Sequence, residues 1–249
     1  MKRYFFKISY DGTSYFGWQK QPKQISIQET IEKDLSKIHS LKEMSIVGCG
    51  RTDAGVHAKE YYFHWECEKA INKSEIKYKL NKMLPRDICI QNIYEVSIDV
   101  HARFSAKERS YEYLINTSKN PFTANHSWYI HQKLDLDKMN AAASLLIGTK
   151  DFSSFAKIHT DVNNHMCQLN YAKWVQKGNQ ITFEIRANRF LRNMVRAIVG
   201  TCVDVGFNKI QLDEFKRIIE SKERQQASGS APAKGLYLSK VTYDLELKN

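Results

Sequence analysis

Polar and apolar residues alternate from Arg3 to Tyr10, an aromatic-rich strand pattern that stops at the turn pair Asp11-Gly12. From Ser26 to Ile38 the period lengthens. Ile27, Ile31, Leu35 and Ile38 recur at helical spacing, and Ser26 with Glu29 three residues on makes a capping box. Met44–Cys49 reads as a strand running into the glycine-rich Gly48–Gly55. Strands at Glu60–Trp65 and Ile88–Ile98 enclose a Lys-rich helix at Lys73–Met83.

The second half has the same style. A strand at Glu108–Ile115 and a helix at Asp135–Ile147 precede a hairpin of Cys167–Val175 and Gln180–Ala187, turning at Lys177-Gly178-Asn179. A long helix is predicted over about Phe190–Val205, closed by Gly206, then one over about Gln211–Ser221 and a final strand at Leu236–Leu245. Gln225–Lys234 alone reads as a linker. The expected class is α+β: two similar mixed α/β halves, 1–105 and 106–249, with sheets able to join into one.

Composition narrows this little. Over 249 residues, 42% hydrophobic and 26% charged content describes a globular chain, not a disordered or fibrous one. Apolar runs fall far short of the ~20 residues a spanning helix needs, so no membrane segment is expected. Met1-Lys2-Arg3 leads straight into a strand where a signal peptide would carry its apolar stretch. Five scattered cysteines without a Cys-x-x-Cys pair point to a reducing cytoplasm, and against disulfides or zinc. Charge changes the picture more. Thirty-eight Lys+Arg against 27 Asp+Glu leaves +11, which suits a polyanionic partner such as nucleic acid, or a merely Lys-biased solvated surface.

Four stretches hold candidate chemistry. In Gly50-Arg51-Thr52-Asp53-Ala54-Gly55-Val56-His57-Ala58 a strand ends, two glycines bracket an Asp, and an Arg lies two residues before it. Such a loop lets backbone approach a substrate closely. An Asp in a turn also serves simply as a cap or an Asx bond, and His57 equally as a packed residue. Helical spacing over Phe190–Arg196 would put Arg189, Arg192 and Arg196 on one side and Phe190, Leu191, Met194, Val195 and Ile198 on the core side. This is a basic RNA-facing surface or an ordinary amphipathic helix. His101-Ala102-Arg103-Phe104-Ser105-Ala106, followed by Arg109-Ser110-Tyr111-Glu112-Tyr113, interleaves Arg with aromatics as base stacking requires, although Tyr111 and Tyr113 also fit one buried strand face. Tyr10–Gln19 is a loop loaded with aromatics, fit to close a core or line a groove.

Together these stretches resemble the tRNA pseudouridine synthase A family nearly end to end, with Asp151–Phe155, Met194–Gly200 and Gly235–Leu238 also matching in order. His165–Leu169 departs from the pattern by lacking an Arg that many members carry there. The resemblance implies sheets packed around a central catalytic cleft in the pseudouridine synthase fold. It also implies a homodimer, a tRNA partner, and isomerisation of uridine to pseudouridine at positions 38, 39 and 40 of the anticodon arm, with no cofactor and no metal. By family position Asp53 is the catalytic carboxylate, as nucleophile or base. Arg196 is its positive partner, Tyr111 the ring that stacks on the base, Arg51 an RNA contact and Leu236 an apolar contact to the base. Arg189 and Arg192 are further RNA-binding candidates. A non-catalytic RNA-binding module fits less well, because an Asp central to a basic loop repels phosphate. An N-glycoside hydrolase using Asp53 would differ by releasing free uracil.

Overall fold

Tyr4, Phe5 and Phe6 follow one another in sequence and are all buried, so the first strand, β1 (Lys2–Tyr10), is covered on both faces. The computed structural model describes residues 1–40, 44–158 and 164–245. These form two compact units, Met1–Lys107 with Leu238–Asn249, and Glu108–Tyr237.

In the first unit β1 is followed by α1 (Ile27–His39), β2 (Val47–Gly48), β3 (His57–Cys67), α2 (Lys73–Met83) and β4 (Ile88–Val96). β1 lies between β3 and β4, antiparallel to both, with Phe6 opposite Phe63 on one side and Ile93 on the other. The Phe6 and Phe63 rings stack at 4.6 Å, the cross-strand contact that helps hold this register. α1 is capped as its sequence demands: the Ser26 hydroxyl accepts from the Glu29 amide at 3.2 Å, and Ile27, Ile31 and Leu35 are buried. Asn72 caps α2 in the same way, and Ile76 and Leu80 turn its apolar side inward. β2 is shorter than the sequence pattern suggests. Its two residues pair with His64 and Phe63, and beyond Cys49 the chain leaves the sheet as the glycine-rich loop.

The second unit comprises most of β5 (Ala106–Asn116), then β6 (Trp128–Tyr129), α3 (Leu136–Ser144), β7 (Gly148–Asp151), β8 (Met166–Lys177), β9 (Gln180–Ala187), α4 (Met194–Gly206) and α5 (Leu212–Ser221). The last strand, β10 (Leu236–Tyr243), begins here and ends in the first unit. β5, β9, β8 and β7 are successive antiparallel neighbours, and β6 runs parallel to β5. The β8–β9 hairpin turns at Gly178-Asn179, where Gly178 takes φ +59°. α4 is the core of this unit: of its thirteen residues only Arg196 and Asp204 are not buried.

Two expectations fail here. The helix expected from Phe190 starts at Met194, because Asn193 is left-handed (φ 66°) and the Arg192 carbonyl accepts from the Lys157 amide at 3.0 Å. The segment read as a linker is instead a strap on α4. Ala227 and Ala231 are buried, the Ser228 amide donates to the Thr201 hydroxyl at 3.2 Å, and the Ala231 amide donates to the Arg196 carbonyl at 2.9 Å. The close approach requires glycine on the helix: a Cβ on Gly200 would lie 2.0 Å from the Gly229 carbonyl oxygen. Composition alone makes such a stretch look like a linker.

Candidate active site

Asp53 is half-buried and Arg51 exposed, on the loop that joins β2 to β3. The loop on both sides of Asp53 is held by the end of β1, the aromatic loop that follows it, and β3. Before it, the Gly50 carbonyl accepts from the Tyr61 hydroxyl at 2.6 Å, the Thr52 carbonyl accepts from the Trp18 amide at 3.3 Å, and the Thr52 hydroxyl bonds the Tyr10 hydroxyl at 2.8 Å. After it, the Val56 amide closes a turn onto the Asp53 carbonyl at 3.1 Å, with Gly55 at φ +76°, and the Gly55 amide donates to the Tyr15 carbonyl at 3.2 Å.

Only glycine fits where the aromatic loop passes the Thr52 carbonyl. Gly17 has φ +83°, and a Cβ there would lie 2.2 Å from the Thr52 carbonyl oxygen. The rings behind the loop form one packed group. Trp18 stacks on Tyr61 at 4.1 Å, and Tyr10 lies 5.7 Å from Tyr61. Burial raises the Tyr61 phenol well above its ordinary value, so the hydroxyl remains a donor to Gly50. Burial, then the hydrogen bond to Asp87, raises Tyr15 likewise. His57 is buried at the start of β3, its Nδ1 3.1 Å from the Gly12 amide and 3.0 Å from Asp11 Oδ1, so it ties the end of the loop to the turn after β1. The arrangement presents one carboxylate and one exposed guanidinium from a fixed backbone. That suits a group attacking or deprotonating a substrate beside a phosphate contact.

The His101–Ala106 turn is a braced surface feature of the same unit. The Ala102 amide donates to Nδ1 of buried His64, and the Arg103 and Phe104 amides donate to His101 Nδ1. Burial lowers the pKa of both imidazoles, His64 to about 4, so each accepts these bonds in its neutral form at ordinary pH. Phe104 projects outward beside the Arg103 guanidinium.

The remaining candidates lie in the second unit. Tyr111 and Tyr113 share a face of β5, as period two requires, but differ in burial. Tyr113 is fully buried and donates its hydroxyl to the Pro232 carbonyl at 2.8 Å, whereas Tyr111 is half-buried with its ring edge-on to Phe190 at 5.1 Å. Leu236 is buried at the start of β10. Arg196 is half-buried in the first turn of α4, and its Nε donates to the Ala231 carbonyl at 2.7 Å. Arg189 and Arg192 precede α4, so the shared helical face expected for the three arginines does not form. Arg189 is half-buried beside Asn188 and Arg192 is exposed. The sequence reading did not single out Tyr10, Thr52, Trp18 or Tyr61 as supports of Asp53. Their signal was present in the aromatic loading of Tyr10–Gln19, but not the partner it grips.

Comparison with known proteins shows the family. A family model described as tRNA pseudouridine synthase matches residues 7–105 and 142–244. The tRNA pseudouridine synthase A of Bacteroides fragilis is 45% identical over 99% of this chain and 98% of its own length. That of Porphyromonas gingivalis is 45% identical over 99% of each, and that of Bacillus pumilus 40% identical over 95% and 97%. Among solved structures, a Cbf5-Nop10-Gar1 complex is similar at 12% identity and a TM-score of 0.34 over 80% of this chain and 54% of the other, too distant to bear on chemistry. Matched over both units and nearly the full length of its relatives, the chain belongs to the tRNA pseudouridine synthase A family.

Proposed function

We propose that this enzyme isomerises uridines 38, 39 and 40 of the tRNA anticodon arm to pseudouridine, with Asp53 as the catalytic carboxylate. The observation that carries the reading is the pinned loop, which offers a half-buried carboxylate two residues from an exposed arginine in a chain of net charge +11. In the reaction the N1–C1′ bond breaks, the uracil turns, and C5 bonds C1′. The C5 hydrogen leaves as a proton and N1 gains one, so atoms balance without an external reactant. The base must leave its stack to react, a cost of a few kcal/mol that phosphate contacts offset.

Family membership supports roles for the other residues. Tyr111 offers a ring for the base, and its hydroxyl a route for the C5 proton. Arg196 supplies a guanidinium that stays charged when desolvated. Leu236 gives the base an apolar contact. Arg51, Arg189 and Arg192 take phosphates, so alanine at any of the three weakens binding and flattens its salt dependence. The same membership supports an N-terminal half, 1–105, that carries the catalytic loop, and a C-terminal half, 106–249, that carries Tyr111 and the arginines. It also supports a cytoplasmic homodimer. Among the described residues no helix is long and apolar enough to cross a membrane.

The test is tritium release from C5-labelled tRNA transcript, with the modified position mapped afterwards. Wild-type protein should release tritium without free uracil, and Asp53→Asn should lose roughly a thousandfold or more in turnover, the scale of losing a nucleophile, while still binding tRNA. Free uracil would make the enzyme a hydrolase. Asp53→Asn turnover within about tenfold of wild type would remove Asp53 from the chemistry.

A further inference from the structure

We infer that Tyr10, acting through the Thr52 hydroxyl, is a positioning residue for Asp53. The inference rests on the reading of Asp53 as the catalytic carboxylate. Tyr10 ends β1 and Thr52 immediately precedes Asp53. Both are buried, and their hydroxyls meet at 2.8 Å, either able to donate. Thr52 is β-branched, so fixing its hydroxyl fixes χ1 and with it the backbone from which Asp53 departs. Three further restraints on this stretch grip main-chain atoms: Trp18 on the Thr52 carbonyl, Tyr61 on the Gly50 carbonyl and Val56 on the Asp53 carbonyl. The Tyr10–Thr52 pair adds a side-chain restraint one residue from the carboxylate.

The anchor is itself rigid. Tyr10 pairs in β1 with Ala58 and with Ile88, and its ring lies against Tyr61 and Trp18. A reacting carboxylate displaced by about an ångström loses on the order of a hundredfold in rate without losing substrate affinity. A buried hydroxyl pair next to that carboxylate therefore has a kinetic role separable from its share in stability.

The separation comes from a double-mutant cycle. Tyr10→Phe and Thr52→Val each break the bond and leave the other hydroxyl buried without it, whereas the double variant removes both groups and recovers stability. The expected result is a fall in kcat of about tenfold or more in each single variant. KM and tRNA affinity should be unchanged, and Thr52→Ser should be nearly wild type. The double variant should melt close to wild type yet keep the low kcat of the singles. Recovery of kcat together with stability would reduce the pair to structure and overturn the inference. So would wild-type kcat in either folded single variant, or failure of both singles and the double to fold. Asp53→Asn, assayed alongside, keeps the two readings apart. An active Asp53→Asn enzyme sinks the Asp53 assignment, whereas an inactive one beside fully active Tyr10 and Thr52 variants sinks only the positioning role.

Discussion

The loop around Asp53 and the segment from Arg189 to Arg196 both carry charged residues beside apolar anchors, yet they are held in opposite ways. At Asp53 the restraint comes from outside the loop: the Gly50 and Thr52 carbonyls and the Thr52 hydroxyl are each bonded to a residue on β1, in the aromatic loop or on β3. At Arg189–Arg196 bonds to Lys157, Ser230 and Ala231 hold a segment whose own backbone changes conformation. It comes off β9, turns left-handed at Asn193 and becomes helix at Met194. A site built the first way depends on glycines that let neighbours close in. A site built the second way depends on the residue that permits the turn.

The largest expected effect tests the first half of that contrast. Gly17→Ala puts a Cβ 2.2 Å from the Thr52 carbonyl oxygen at a φ of +83°, so the Thr52–Asp53 backbone must move. Stability should fall by about 2–4 kcal/mol and turnover by roughly a hundredfold or more. Gly178→Ala in the β8–β9 turn is the control. Its φ is also positive, at +59°, but nothing lies within 4 Å of the added Cβ, so the cost should be about 1 kcal/mol with turnover intact. Urea denaturation and tritium release measure both. Equal losses in the two variants would show that left-handed strain alone, and not the grip on Asp53, makes Gly17 necessary.

The same contrast explains what was legible in the sequence. The β1 strand, the Ser26 cap and the Ile27–Leu35 stripe are local signals, and the structure carries them, although burial in β1 alternates only from Phe6 to Tyr10. Gly50–Ala58 was conspicuous because glycine, arginine and aspartate crowd into nine residues. The grip of Tyr10, Trp18 and Tyr61 on it was not legible, since those bonds join residues up to 42 positions apart. In Phe190–Ile198 the apolar period correctly marked Leu191, Met194, Val195 and Ile198 as buried. It misplaced the helix start, because burial of a side chain does not require helical backbone. Asn193, the residue able to take the left-handed turn, was the overlooked signal. Gly229 and Ala231 read as linker residues by composition, but their backbone lies on α4, where Gly200 leaves room for the Gly229 carbonyl.

A smaller effect probes the clamp between α4 and its strap. Arg196 grips Ala231 twice, its Nε donating at 2.7 Å and its carbonyl accepting at 2.9 Å. Lysine keeps the backbone bond and the charge but has no donor partway along its chain. Arg196→Lys should therefore lose about 1.5–2 kcal/mol, the worth of one charge-assisted hydrogen bond, seen as a lower urea midpoint at unchanged slope. An unchanged midpoint would mean that the Nε bond adds nothing to the strap.

The smallest expected effect decides most directly between the two conformations of the arginine segment. Asn193 sits at φ 66° and ψ −1°, and its side-chain amide donates to the Ser230 hydroxyl at 2.6 Å. Glycine and alanine both remove that bond, so the difference between Asn193→Gly and Asn193→Ala isolates the backbone. Glycine takes a left-handed conformation freely, while alanine pays about 1 kcal/mol for it, so Asn193→Gly should be the more stable variant by that amount. If the helix instead ran on from Phe190, position 193 would lie inside it, and alanine would be the better residue by about 1 kcal/mol. The two conformations therefore predict opposite signs for one measured difference. Urea midpoints of the two variants, compared at equal slope, read that sign without any assumption about the lost hydrogen bond. An alanine variant more stable than the glycine variant would restore the continuous helix and, with it, the common face for Arg189, Arg192 and Arg196.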